Sequence, residues 1–143
     1  MKRFIFIIMM LIPAFLFAQE PAGVIKKMTG KAQIISSNQT IQAKVGSNIY
    51  PNDTIITEAD SSIGIIFQDD TLLSLGPNSK IIVDRFVFDP NNKNYSFVTK
   101  MSKGTAVFVN GNIGRLSPKS VKFETPLATL GLRGTKFAIK VDE

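Results

Sequence analysis

Past residue 18 the chain alternates between apolar and polar positions. In "TIQAKV" Ile41, Ala43 and Val45 fall on one side, with Thr40, Gln42 and Lys44 on the other. "VKFE" sends Val121 and Phe123 one way against Lys122 and Glu124. "TKFAIKVD" sets Phe137, Ile139 and Val141 against Lys136, Lys140 and Asp142. A two-residue period puts one face of each stretch on a core, as β-strands do. No helical period accompanies it. Turn chemistry separates the runs: Thr29–Gly30 splits "VIKKM" from "KAQII", and Asn110–Gly111 after "TAVFV" is a strong hairpin signal. "SNQ", "PND", "EADS", "QDD", "GPNS", "DPNNKN" and "SPKS" supply further loops. Strands of roughly four to eight residues, with turns about ten residues apart, predict an all-β sandwich, barrel or solenoid.

Two internal echoes favour the last of these. "ITEADSSIGI" (Ile56–Ile65) aligns without gaps to "FETPLATLGL" (Phe123–Leu132), and "KGTAVF" from Lys103 is echoed by "RGTKF" from Arg133. Repeated strand–turn units suit stacked rungs, so the expected fold is a single twisted β-solenoid or β-helix-like domain. A small β-sandwich or barrel is the alternative.

The first 18 residues read differently. Lys2 and Arg3 precede an apolar run from Phe4 to Phe17, and Ala18 offers a small residue before Gln19–Glu20. This is the layout of a secretory signal peptide over 1–18, leaving a β domain over 19–143. As a membrane anchor the run is short of the ~20 residues that cross a bilayer.

Composition then narrows the chemistry. The 143 residues include no Cys, no His and no Trp. Disulfides, thiolate metal sites, a lipid-bearing cysteine, Cys nucleophiles and every His-based triad are excluded. Charge is one-ended. Between Gln19 and Thr99 there are 7 basic and 8 acidic residues. From Lys100 to Val141, Lys100, Lys103, Arg115, Lys119, Lys122, Arg133, Lys136 and Lys140 stand against Glu124 alone, a net of +7. Such a field suits an anionic partner or surface. A solvated basic face is the other reading.

The glycine-rich "GLRGTK" from Gly131 is a candidate phosphate cradle. A P-loop needs G-x-x-x-x-G-K-[ST] between a strand and a helix. Here only two residues part Gly131 from Gly134, Thr135 precedes Lys136, and a strand follows. The clamp of a KH domain would need two flanking helices. Gly131 and Gly134 are therefore expected to serve as bends or close approaches between strands. Pro126 would fix the turn before them, and Arg133 could pair with Glu124. Gly64, Gly76 and Gly104 complete the glycines expected at structural turns.

Other candidates fit their chemistry poorly. "DPNNKNYSF" from Asp89 has Lys93 where a calcium loop needs an oxygen ligand and Lys100 in place of the closing Glu. An Asx-type hairpin turn is expected instead. Asp69–Asp70 and the trio Asp53, Glu58 and Asp60 are the densest carboxylates, but nothing supplies a base-orienting partner. A turn in which Asp69–Asp70 accept backbone hydrogen bonds is expected, and substituting either by Asn should leave activity intact. Phe86 and Phe88 flank Val87: both are core if Arg85 and Val87 face water, and the opposite register exposes an aromatic pair.

The order of motifs resembles the FecR domain family. The stretches are "VGSNIYPNDTIITEADSSIGIIFQDDTLLSLGPNSKIIVDRFVF", "KMSKGTAVFVNGNIGRLSPKSVKFETP" and "ATLGLRGTKF", together covering Val45 to Phe137. The resemblance implies a twisted, solenoid-like β domain outside the cytoplasmic membrane of a bacterium. Members that control sigma factors have a cytoplasmic segment and a membrane-spanning helix before the periplasmic part. Here a cleavable-looking leader precedes the β domain, so signalling in that form is not expected. What carries over is the habit of binding proteins or envelope components. The expectation is a non-catalytic periplasmic or secreted domain without cofactor or metal, binding an envelope protein partner and no nucleic acid. Binding of an anionic envelope polymer or lipid through the basic third is the alternative.

Overall fold

A computed structural model describes residues 19–131 and 134–142. It is all-β apart from short helical turns. The strands run β1 (Gly23–Thr29), β2 (Ala32–Ser36), β3 (Gln39–Gln42), β4 (Asn48–Ile49), β5 (Thr54–Thr57), β6 (Ser62–Phe67), β7 (Leu72–Leu75), β8 (Lys80–Asp89) and β9 (Asn94–Val109). A short helix α1 (Asn112–Leu116) and a single 3₁₀ turn lead to β10 (Val121–Glu124), β11 (Thr129–Gly131) and β12 (Lys136–Val141). The five-residue α1 is an element the alternation did not predict. It forms where Asn110–Gly111 was expected to turn a hairpin.

All twelve strands belong to one sheet, ordered β3-β2-β5-β8-β9-β7-β6-β1-β4, with β10 and β12 on the free side of β9 and β11 beyond β10. Three successive pairs of strands, β1 with β2, β5 with β6 and β7 with β8, lie end to end rather than side by side. β1 pairs with β6 and β2 with β5, Thr29 meeting Ser62 and Ala32 meeting Thr57. β7 and β8 both run antiparallel to β9, Leu75 against Ala106 and Lys80 against Lys103. Each such pair is thus one long strand bent in the middle, and β9 bends as a single element between Lys103 and Thr105. Folding along this line of corners curls the sheet into a half-barrel. Rungs of a solenoid pair in parallel with their equivalents one coil on. Here the described pairings are antiparallel except β10 with β9, so the solenoid detail finds no support in the register.

The corners are held by side-chain oxygens. Ser61 Oγ accepts from the Lys31 N–H at 2.9 Å and donates to Ala59 O. Ser79 Oγ accepts from the Thr105 N–H at 3.0 Å and lies 3.3 Å from Pro77 O. The two arrangements repeat: "ADS" and "PNS" each put a left-handed residue, Asp60 (φ 56°) or Asn78 (φ 52°), before the serine. Thr57, 2% exposed, ties the corners together, donating from Oγ1 to Gly76 O and accepting from the Ser79 N–H. Buried hydroxyls with partners stabilise by about 1 kcal/mol each, and orphaning the partner costs more. This structural repeat differs from both sequence echoes. Of the first, β10 and β11 form a hairpin while β5 and β6 lie end to end without pairing.

The core fills the inside of the curl. Ile25, Ile55, Ile65, Leu73, Leu75, Ile81, Phe97, Phe108 and Phe123 are all but fully buried. A run of rings crosses between the two arms of the sheet, Phe67 to Phe97 at 4.7 Å, Phe97 to Phe108 at 5.5 Å and Phe108 to Phe137 at 5.1 Å. Phe86 joins it, 5.0 Å from Phe97. A bulge at Asp84 sets this register, so Arg85 faces water, and Phe88 packs on Tyr95 further along the same hairpin. Val121 and Phe123 point inward as the alternation predicts. Ile41 and Val45 do not: Ile41 is on the edge strand β3 and Val45 in the turn after it, and they are 48% and 60% exposed while Ala43 is buried.

Candidate interaction surface

The basic residues of the last third gather on strands and turns added to the free side of β9, but the fold divides them between two arms. Lys100 and Lys122 lie on neighbouring strands, where Lys122 is matched with Val98 and Glu124 with Lys100. Lys100 is drawn into ion pairs with Asp84 at 3.7 Å and Glu124 at 3.8 Å. Both are exposed pairs that contribute little. Lys136 and Lys140 project from the other arm, on the outer face of β12, because Phe137, Ile139 and Val141 face the core. Lys140 lies 3.8 Å from Asp142. Arg115 and Lys119 are exposed on α1 and the turn after it. Lys103 sits at the corner, where it shares with Lys140, Thr105 and Asp142 the lining of an open hollow of about 530 Å³. Arg133 lies outside the described residues. The expected single face is therefore two basic clusters bordering β9.

The acidic candidates are mostly structural. Asp69 is 0% exposed. Its carboxylate accepts from the Thr71 N–H at 3.1 Å, from Thr71 Oγ1 at 2.8 Å and from the Ile113 N–H at 3.0 Å. Asp69 O accepts from the Asn112 N–H at 2.7 Å, and Thr71 Oγ1 accepts from the Gly111 N–H at 3.1 Å. The β6–β7 turn thus caps the start of α1 from across the chain. Gly111 is required there because a Cβ would strike the backbone of Asp69 and Thr71. Asp70 is exposed, at φ 68° in the same turn. Asp53 is buried too, accepting from the Tyr50 N–H at 2.9 Å. Glu58 and Asp60 are exposed. Asp89 accepts from Asn92 Nδ2 at 2.8 Å in the β8–β9 turn.

The glycines serve different ends. Gly104 (φ 98°) packs so tightly on Ser79 that no Cβ fits, and Gly76 faces Thr105 Oγ1. Gly134 (φ 108°) bends in open space, its carbonyl accepting from Asn110 Nδ2. Gly131 ends β11 with nothing near, so close approach does not account for it. Gly64 lies inside β6 rather than in a turn, opposite a bulge in β1 between Ile25 and Lys27. The sequence reading missed Thr57, Ser61, Ser79 and Thr71. The recurrence of "ADS" and "PNS" was the available signal.

Two of the quoted motifs, "LGPNS" and "KGT", meet at one corner, where Ser79 holds Thr105 and excludes any side chain at Gly104. These contacts belong to an all-β domain, and the comparison with known families places it: residues 53–143 match the FecR protein family. The chain belongs to the FecR family, a signalling and regulatory family of the cell envelope that is generally non-enzymatic. No curated protein and no solved structure matches it. Among the described residues, no helix is long and apolar enough to cross a membrane.

Proposed function

We propose that this chain is a non-catalytic docking domain, exported by residues 1–18 into the periplasm or beyond, which binds a protein partner in envelope signalling through its basic C-terminal third. The observation that carries the reading is the pair of basic clusters along β9, Lys100 and Lys122 on one arm and Lys136 and Lys140 on the other, while the buried carboxylates Asp53 and Asp69 are occupied with backbone N–H groups. Carboxylates engaged in this way are poorly placed for acid–base work. Exposed lysines on rigid strands suit an acidic partner, steering its approach and fixing its register.

The test is a crosslinking pull-down from the native envelope at low salt and at about 0.5 M salt, where screening reaches within a few ångström. One dominant protein retained at high salt is the expected result. Capture of lipid or polymer that vanishes with salt would replace this reading with the anionic-polymer one.

A further inference from the structure

β12 is paired on one side only among the described residues, to β9, from Lys136 with Val109 to Val141 with Gly104. At six residues it is the longest of the strands so placed, the others being β3, β4 and β11. Natural edge strands are blunted by proline, by bulges, by inward-pointing charge, by shortness or by charged side chains, lysine above all, and of these devices β12 carries the lysines. β12 has no proline, its register with β9 has no shift, and its lysines point outward. Its inward side chains Phe137, Ile139 and Val141 are packed on the core yet only half-buried, so the apolar layer ends uncovered at this margin. The edge therefore offers unpaired backbone groups, an apolar shelf beneath and two lysines above.

The charge on top selects the occupant. A second β12 laid antiparallel across this edge would bring Lys136 toward Lys140, and like charges opposite each other in a sheet are destabilising. An acidic strand meets the same two lysines favourably. Lys136 makes no ion pair among the described residues, and the exposed Lys140–Asp142 contact at 3.8 Å is readily exchanged. We propose that β12 is the docking edge: an extended segment of a partner protein, alternating apolar and acidic residues, adds to it as a further strand. Main-chain hydrogen bonds would supply affinity and the alternate side chains specificity. This inference rests on the protein-docking function and specifies its mode.

The probe is an eight-residue peptide alternating glutamate and valine, with a lysine-for-glutamate twin, added to the full chain. Amide hydrogen exchange across 136–141 is expected to slow about tenfold on saturation with the glutamate peptide and to be unchanged by the twin, because strand addition protects the edge amides. The double variant Lys136→Glu/Lys140→Glu changes exposed side chains, should keep the far-UV spectrum, and should exchange the two preferences. Glutamate-peptide binding without protection of β12, or binding indifferent to the double variant, would overturn the proposal. So would a concentration-dependent dimer that protects β12 without peptide. An envelope protein captured equally by wild type and double variant would leave the docking function standing and remove this edge as its site.

Discussion

At the scale of single residues, Asp69 has a role that its sequence context only half discloses. The turn was expected from "FQDDTL", and Asp69 does accept the Thr71 N–H two residues on. Its longer reach, to the Ile113 N–H across 44 positions, has no local signature. Asp69→Asn is consequently not a silent substitution. The amide must turn its NH₂ toward at least one of three donors, so a loss of about 2 kcal/mol is expected in urea unfolding. Asp70→Asn, on the exposed side of the same turn, should fall within about 0.5 kcal/mol of wild type.

Among the elements, the corner where the β7–β8 turn meets the bend of β9 is the most tightly constrained. Gly104 combines a left-handed φ of 98° with direct backbone and side-chain contact to Ser79. Gly134 has the φ without the contact, and Gly131 has neither. The three alanine variants should separate accordingly. Gly104→Ala is expected to lose more than about 3 kcal/mol, strain and overpacking acting together. Gly134→Ala should lose about 1–2 kcal/mol from φ alone, and Gly131→Ala close to nothing. Denaturation midpoints at equal slope would check the order. The sequence presented these glycines as equivalents because their neighbours in the chain are alike. What distinguishes them is a serine 25 positions before Gly104, which local pattern does not encode.

For the molecule as a whole, alternation disclosed the class and much of the core. Val121, Phe123 and Phe137 point where the period puts them, and "DPNNKN" turns the β8–β9 hairpin as its composition implies. Pairing was not legible, since a two-residue period is the same whether consecutive strands fold back on each other or continue around a corner. Edge strands were misread for a related reason: Ile41 alternates correctly but has no opposing layer. The two basic clusters were likewise legible as charge but not as geometry. Because one sheet carries every strand through both arms, the halves should not unfold separately. Tyr50 lies at the end of β4 and Tyr95 on the β8–β9 hairpin, so tyrosine emission and far-UV dichroism should report one coincident transition. Two distinct midpoints would mean that the corners act as a boundary between independent units.

The row of corners also divides the loops by how freely their length can change. The turn at Pro90–Asn92 projects from the end of a hairpin and is exposed, hydrogen-bonded to its neighbours Asp89 and Lys93. Extra residues there would loop into solvent at little entropic cost. Between Gly76 and Ser79 the chain is tied to Thr57, Glu58 and Thr105 at once, and one added residue would slide the serine off its partners. An affinity tag or fluorescent reporter thus has a natural place in the β8–β9 turn, at the far end of the hairpin from the corner residues that line the basic hollow.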